Sequence, residues 1–74
     1  MEEKFIELFK EAIEKENEVS LTDTFRDYEE WDSLAYLSVI AMIDEEFDVI
    51  IEGNDFKQLS KVSDIISEIE KRTI

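Results

Sequence analysis

The chain has 74 residues, of which 43% are hydrophobic, with one glycine, no proline and no cysteine. One small domain spanning residues 1–74 is expected; helices are favoured because an all-β fold needs many turn residues, and no disulfide or thiolate metal site can support the fold. A formal net charge of −13 excludes nucleic acid and anionic membrane surfaces as partners, since both are bound through Lys and Arg.

The first predicted element is an amphipathic helix in residues 2–16. Its apolar residues recur with i, i+3, i+4, i+7 spacing at Phe5, Ile6, Leu8, Phe9, Ala12 and Ile13. Residues 17–32 keep no sustained period, although they include Val19, Leu21, Phe25, Tyr28 and Trp31. A loop this long with so many apolar side chains is predicted to pack against the helices, with Phe25 inserted between them.

The central helix is predicted to begin after Asp32, a good N-cap residue directly before the helical period restarts. Apolar residues occur on more than one side of this helix, so we expect neighbouring elements to cover it from several directions. One apolar face would consist of Leu34, Leu37, Ile40, Ala41 and Phe47, widened by Tyr36, Val39 and Ile43.

Two shorter patterns complete the chain. Residues 53–55 are predicted as a turn, residues 55–59 as one short helical turn, and Ser60 as the cap of a last helix. Lys71 and Arg72 lie at the end of that helix, where positive charge is favourable. Its inward residues would be Val62, Ile65, Ile66 and Ile69. The sequence therefore predicts an all-α bundle of three main helices and one short helix, with a long ordered loop between the first two.

The termini and the charge suggest where the chain works. No basic and apolar signal precedes the first helix, and the longest apolar run, residues 39–43, is far too short to span a membrane. Partners with basic patches suit the net charge. We expect a soluble, cytoplasmic monomer that binds other proteins.

The stretch "EEWDSLAYL", residues 29–37, places Ser33 in the first turn of the central helix. A serine at such a position ordinarily makes local hydrogen bonds. A serine nucleophile needs a nearby general base, usually histidine; the chain has none, and the neighbouring Asp32 is too weak a base. No catalytic residue is therefore predicted, and if Ser33 reacts, another enzyme must activate it.

Acidic residues dominate the middle of the chain. Ten Asp and Glu residues occur from Asp27 to Asp55, and no Lys or Arg occurs between Arg26 and Lys57. A solvated surface is the ordinary explanation of such a run, and a docking face for basic partners is the alternative.

The same acidic residues do not predict a metal site. A calcium loop of the EF-hand type would use Gly53 as its turn glycine, at position 6. Ile50 and Leu59 would then occupy the ligand positions 3 and 12, and neither has a side-chain oxygen.

Several of these features together resemble the acyl carrier protein family. "DSL" opens the central helix, Phe25 lies eight residues before the serine, and an acidic "DEEF" closes the helix. The likeness covers nearly the whole chain and implies an acyl-carrier-like bundle that is a carrier and not an enzyme. It also implies that Ser33 bears 4′-phosphopantetheine, delivered from coenzyme A by a phosphopantetheinyl transferase with magnesium. The thiol of this arm would carry acyl groups as thioesters.

The resemblance implies roles for further residues. Asp32 and Leu34 would adjoin the arm, Asp32 as a cap or a contact for the transferase. Acyl-transferring or acyl-activating enzymes with basic patches would contact Leu34, Leu37, Asp44, Glu45 and Glu46. Six residues would line the core space that can sequester an acyl chain, with plain core packing an equally good explanation: Phe25, Ala41, Ile51, Phe56, Leu59 and Val62.

Some positions depart from the usual family pattern. Glu30 stands where glycine is usual, Trp31 where a small residue is frequent, and Phe56 where alanine is common. These differences indicate a specialised carrier, for a short acyl, aminoacyl or sugar-modifying pathway, rather than a housekeeping carrier of fatty acid biosynthesis. Trp31 could either cover the end of the bundle or belong to the partner surface. The alternative function is an unmodified acidic helical domain that binds basic partners.

Overall fold

The computed structural model describes residues 2–73, and its regular elements are helical. The four α-helices are α1 (Glu2–Ala12), α2 (Ser33–Phe47), α3 (Gly53–Phe56) and α4 (Val62–Arg72), and a 3-10 turn at Phe25–Asp27 lies in the loop between α1 and α2. The predicted all-α bundle, with three main helices, one short helix and a long loop after the first, is confirmed. None of the helices in residues 2–73 is long and apolar enough to cross a membrane.

The first helix ends four residues earlier than predicted, at Ala12 rather than residue 16. Glu14 takes the left-handed conformation, with φ 55°. The N–H of Lys15 donates to the carbonyl of Lys10 at 2.9 Å, and that of Glu14 to the carbonyl of Glu11 at 3.2 Å. This pair of bonds is a Schellman motif, which ends a helix and turns the chain back. The sequence gives little sign of it because glycine, the usual residue, is absent there.

The other boundaries also differ slightly from the prediction. The short helix begins at Gly53 instead of following a turn at residues 53–55. The N-cap of α4 is Lys61 and not Ser60. The cause is the carboxylate of Asp64, which accepts hydrogen bonds from the backbone N–H groups of Ser60 at 3.1 Å and Lys61 at 2.9 Å. These bonds fix the chain ahead of the helix, and they hold the pKa of Asp64 below its usual value.

The long loop packs against the start of α4, as predicted. Its carbonyls at Asp23 and Leu21 accept the N–H groups of Val62 and Ser63, each at 3.0 Å. These are two of the N–H groups that the first turn of a helix cannot satisfy itself. Phe25 is fully buried, which confirms its predicted insertion. The loop therefore caps one helix and contributes a ring to the core.

A tyrosine and a carboxylate hold the middle of this loop together. The hydroxyl of Tyr28 donates to Oδ2 of Asp23 at 2.7 Å, and the N–H of Ser20 donates to the same oxygen at 3.0 Å. The hydrogen bond from Tyr28 lowers the pKa of Asp23. Partial burial, followed by this bond, raises the pKa of Tyr28 above its usual range. At neutral pH the pair is a charge-assisted hydrogen bond that keeps the loop closed.

Only part of the predicted apolar face of α2 is buried. The buried residues of α2 are Ala35, Val39, Met42 and Ile43. Leu34 and Leu37, which the resemblance also placed in contact with partners, are exposed, and so is Ala41. Because α2 has apolar residues on almost every side, its periodicity does not single out the buried face. That face is determined by which side α1 and the loop cover.

One arginine joins three parts of the fold near the C-terminal end of the described chain. The guanidinium of Arg72 donates to Glu68 at 2.8 Å, to the carbonyl of Ile50 at 2.9 Å and to Asp55 at 2.7 Å. It therefore ties α4 to α3 and to the segment that follows α2. The sequence predicted only its favourable position at the helix end.

Candidate functional site

The site begins at the N-terminus of α2. Oδ1 of Asp32 accepts the N–H of Ala35 at 2.7 Å, and the carbonyl of Asp32 accepts the N–H of Tyr36 at 3.0 Å. Asp32 is therefore the N-cap, as predicted. Ser33 is the first helical residue and is exposed. Among residues 2–73 its hydroxyl has no hydrogen-bond partner, so it is free to react with a group brought by another protein.

This helix start is also suited to bind an anion. Only one of the N–H groups in the first turn is taken by the Asp32 side chain. The remaining ones point out of the helix end, where the macrodipole is positive. A phosphate ester at Ser33 would lie at such an end. No cluster of residues that could ligate a metal is found in the described part of the chain.

A groove of about 350 Å³ lies directly beside Ser33. It separates the start of α2 from α3. Its walls are aromatic and its charged groups are two cations and one carboxylate. The lining residues are Arg26, Trp31, Asp32, Ser33, Tyr36, Gly53, Phe56 and Lys57.

Trp31 lines the groove and packs against three other aromatic rings. Its ring is stacked between Phe9, with centroids 6.2 Å apart, and Phe56, 6.1 Å apart, and it meets the edge of Phe25 at 4.8 Å. The interplanar angle with Phe56 is 7°. Rings from α1, the long loop and α3 thus pack together around Trp31. Trp31 is therefore a packing residue that covers this end of the bundle, which is one of the two roles considered for it from the sequence.

Arg26 also lines the groove and is hydrogen-bonded to the end of α3. Its Nε and Nη2 donate to the carbonyl of Leu59 at 3.1 and 3.0 Å, and Nη2 also donates to the carbonyl of Phe56 at 2.9 Å. The guanidinium carbon lies 5.1 Å from the ring centre of Phe25. Arg26 therefore fixes the C-terminal end of α3, and with it the position of Phe56.

The exposed face of α2 carries an apolar stripe followed by acids. Leu34 is 74% exposed and Leu37 is 59% exposed. At helical spacing they continue into exposed Ala41, Asp44 and Glu45. The last turn of α2 contains no basic residue. The structure thus brings together on one surface the leucines and the acids that the sequence predicted as partner contacts, with Glu46 exposed beside them.

The six predicted acyl-pocket residues are not brought together in one cavity. Phe25, Ile51, Phe56, Leu59 and Val62 are buried in the core. Ala41 is exposed and lines a shallow surface depression next to Leu8 of α1, so its prediction as a core or pocket residue is wrong. Of the six, only Phe56 lines the groove beside Ser33.

Besides Trp31, whose role was left open, four groove residues were not predicted as site residues: Arg26, Tyr36, Gly53 and Lys57. Tyr36, Gly53 and Lys57 meet there because α3 folds back against the start of α2. A Cβ added to Gly53 would lie 3.4 Å from the hydroxyl oxygen of Tyr36, so the two elements approach closely. Lys57 could have been noticed in the sequence, because Arg26 and Lys57 are the basic residues that flank the acidic stretch of residues 27–55.

The fold and this site define a class: small helical carriers with an acidic central helix and a free serine at its start. The family described as "Phosphopantetheine attachment site" matches residues 3–69, and the chain belongs to this family. The resemblance found in the sequence is thereby confirmed.

One solved structure supports the same fold. The chain is similar to a holo acyl carrier protein from Geobacter metallireducens, solved by NMR in solution, with a TM-score of 0.80 and 15% sequence identity over 95% of this chain and 82% of that one. No curated protein matches the chain.

Family membership establishes the cofactor class. The chain is a carrier and not an enzyme, and its cofactor is covalently attached 4′-phosphopantetheine. The residues present fit this group, because an exposed serine hydroxyl without a partner among residues 2–73 lies at a helix N-terminus beside an open groove.

Proposed function

We propose that Ser33 is the attachment point of the arm and that the protein carries acyl groups, as thioesters, between partner enzymes of a specialised pathway. The single observation that supports this most strongly is the exposed Ser33 hydroxyl at the first position of α2. The arm supplies the reactive thiol, so the absence of His and Cys from the chain does not limit this function.

The loading step needs a second protein. Ser33 Oγ forms an ester bond to the phosphorus of the 4′-phosphate of coenzyme A, the phosphoanhydride bond breaks, and adenosine 3′,5′-bisphosphate leaves. The hydroxyl proton goes to a base of the transferase, since Asp32 already accepts the N–H of Ala35 and is a weak base. Magnesium bound by the transferase would neutralise the phosphate charge.

The chain's own contribution after loading is to hold the phosphodiester at the start of α2. The free N–H groups of the first turn and the positive end of the helix favour an anion there. The carboxylate of Asp32 opposes it, and its hydrogen bond to the Ala35 N–H offsets part of that repulsion.

Partner recognition is assigned to the exposed face of α2. Leu34 and Leu37 offer apolar contacts next to Ser33, while Asp44, Glu45 and Glu46 offer charge one helix length away. Acids at the C-terminal end of a helix are unfavourable for the free protein. A partner with a basic patch would relieve this repulsion, which suits the transferase and the enzymes that add or remove acyl groups. We propose that the carrier acts as a monomer in the cytoplasm.

Loading in vitro tests the assignment. The protein is incubated with coenzyme A, magnesium and a transferase of broad specificity, and intact mass is measured. We expect the gain of one phosphopantetheine, its loss in Ser33→Ala, and an unchanged gain in the control Ser38→Ala, an exposed serine of the same helix. A gain that persists in Ser33→Ala would refute the attachment point. A basic partner that binds the unloaded protein and Ser33→Ala equally would favour the unmodified interaction domain.

A further inference from the structure

We propose that Lys15 is a positioning residue for the loading of Ser33. It fastens the segment of residues 28–31, which leads into α2, to the end of α1, so that the transferase meets Ser33 in one fixed position. The proposal rests on Ser33 as the attachment point. Lys15 acts through Glu30 and Tyr28, because its own side chain is only 10% exposed and offers a partner little to contact.

Lys15 is anchored through both its backbone and its side chain. Its N–H donates to the carbonyl of Lys10 at 2.9 Å, in the turn that ends α1. Its Nζ lies 3.6 Å from Oε1 of Glu30 and 4.4 Å from the ring centre of Tyr28. The ion pair and the cation–π contact both join the end of α1 to the same short segment of the loop, where partial burial makes them stronger than in water.

The segment held by Lys15 runs directly into the attachment serine. The N–H of Trp31 donates to the carbonyl of Tyr28 at 3.0 Å, and the ring of Trp31 is packed among three other aromatic rings. Asp32 then caps α2, and Ser33 follows as its first residue. Two sets of contacts therefore fix the chain where it enters α2, the aromatic contacts of Trp31 and the polar contacts of Lys15.

The charges around Lys15 single out Glu30 as its partner. Lys15 lines a surface depression together with Lys10 and four glutamates. Among residues 2–73 its ion pair is with Glu30, and Lys10 forms none. Asp23, in the same loop, already accepts the hydroxyl of Tyr28. The charge of Lys15 is therefore directed to the residue three places before the attachment serine.

Loss of the charge on Lys15 would leave Glu30 among other acids. Glu30 lines a second depression together with Glu14 and Asp32, and among the described residues no base lines it. Like charges repel at such short range. An unpaired Glu30 would move towards solvent, and the segment of residues 28–31 would lose one of the two sets of contacts that hold it.

A loosened segment would affect the binding of the transferase more than the bond-forming step. When Ser33 is correctly placed in only a fraction of the molecules, the apparent affinity falls by that fraction. Once the correct conformation is bound, transfer of the phosphoryl group proceeds as before. The KM for the carrier should therefore rise while kcat stays nearly constant.

Steady-state loading with coenzyme A, magnesium and a transferase of broad specificity tests the proposal, at a temperature where every variant is folded. Lys15→Met keeps the length of the side chain and removes its charge. We expect it to raise KM for the carrier about 5–10-fold, with kcat changed less than about 2-fold. Glu30→Gln should raise KM similarly, and the double variant should be no worse than either, because all three lose the same ion pair. Lys15→Arg should keep KM near the wild-type value, since it retains the cation.

Two controls separate positioning from stability and from net charge. Asp64→Ala removes a side chain that caps α4 and should leave KM unchanged although it lowers stability. Lys71→Met makes the same change in net charge as Lys15→Met at an exposed position of α4, and it should also leave KM unchanged.

Amide hydrogen exchange gives a measurement that does not involve the transferase. The N–H of Trp31, which donates to the carbonyl of Tyr28, should exchange about 10-fold faster in Lys15→Met than in the wild type, measured relative to the N–H of Ile69. Ile69 is fully buried in α4 and reports opening of the whole domain.

An unchanged KM in both Lys15→Met and Glu30→Gln would refute the positioning role. An equal rise in KM in either control variant would also refute it, because the effect would then come from stability or net charge. Unchanged exchange of the Trp31 N–H would show that Lys15 does not hold the segment. Failure of the wild type to load on Ser33 would instead refute the proposed function, and intact mass identifies that case separately.

Discussion

The two ends of α2 are built in opposite ways. At its start Asp32 caps the helix and Trp31 is held by three aromatic neighbours. At its end four acidic residues within five positions, Asp44, Glu45, Glu46 and Asp48, are exposed with no base in the last turn. By contrast, α4 ends with Lys71 and Arg72, as the helix dipole favours. The start of α2 is stabilised by its sequence, and its end retains charges that stability alone would not select.

The largest expected effect comes from a substitution that disrupts the packing at the start of α2. Trp31→Ala should lower the free energy of unfolding by about 2–3 kcal/mol, slightly less than for a fully buried ring, because it leaves a gap in the aromatic stack. Urea unfolding measures it. The control Trp31→Phe should keep most of the stability. A loss below about 0.5 kcal/mol for Trp31→Ala would show that the stack does not support the start of α2.

A smaller loss of stability is expected when a carboxylate is removed from the start of a helix, where negative charge is favourable. Asp64 lies in the first turn of α4 and accepts two backbone N–H groups. Asp64→Ala should lower the free energy of unfolding at pH 7 by about 1 kcal/mol, as loss of a helix-capping side chain does. Glu70→Ala, an exposed acid further along α4, should change it much less.

The difference in free energy of unfolding between the wild type and Asp64→Ala should depend on pH in a definite direction. The pKa of Asp64 in the folded state is lowered, chiefly by the backbone hydrogen bonds from Lys61 and Ser60, from an ordinary value of 3.8. Its contribution is therefore fully present above pH 3.8 and is lost as the pH falls through the lower folded value. The stability of the wild type and of Asp64→Ala should converge in acid. Curves that stay parallel as the pH falls below 3.8 would contradict the role of the ionised carboxylate.

The smallest effect tests the end of α2. Glu46→Gln should raise the free energy of unfolding by a few tenths of a kcal/mol at low salt, because it removes an acid from the negative end of the helix. The matched control is Glu3→Gln in the first turn of α1, where the same change should lower it. Added salt should reduce both effects. The same sign in both variants would contradict the contrast between helix starts and ends.

Much of this contrast could be read from the sequence, because it rests on local chemistry. Asp32 is recognisable as a cap from its place before the apolar period, and Phe25 as an anchor from its place in a polar loop. The apolar pattern of α2 could not show which of its residues are buried, because the helix is apolar on nearly all sides and packing determines its buried face; the expected core position of Ala41 was therefore wrong.

The rest of the site depends on residues that are distant in sequence. The stack of Trp31 joins Phe9, Phe25 and Phe56, which belong to separate elements, and no local pattern pairs them. Lys57 reaches the groove only through the fold of α3 against α2. Such contacts follow from tertiary packing, which periodicity and capping rules do not describe.

The most direct test of the start of α2 as the carrier site uses the protein from its native cells. Tandem mass spectrometry of its proteolytic peptides locates any attached group. We expect phosphopantetheine, free or acylated, on the peptide that contains Ser33 and on that residue. An unmodified Ser33 in cells whose other carriers are loaded, or an arm on a different residue, would contradict the assignment.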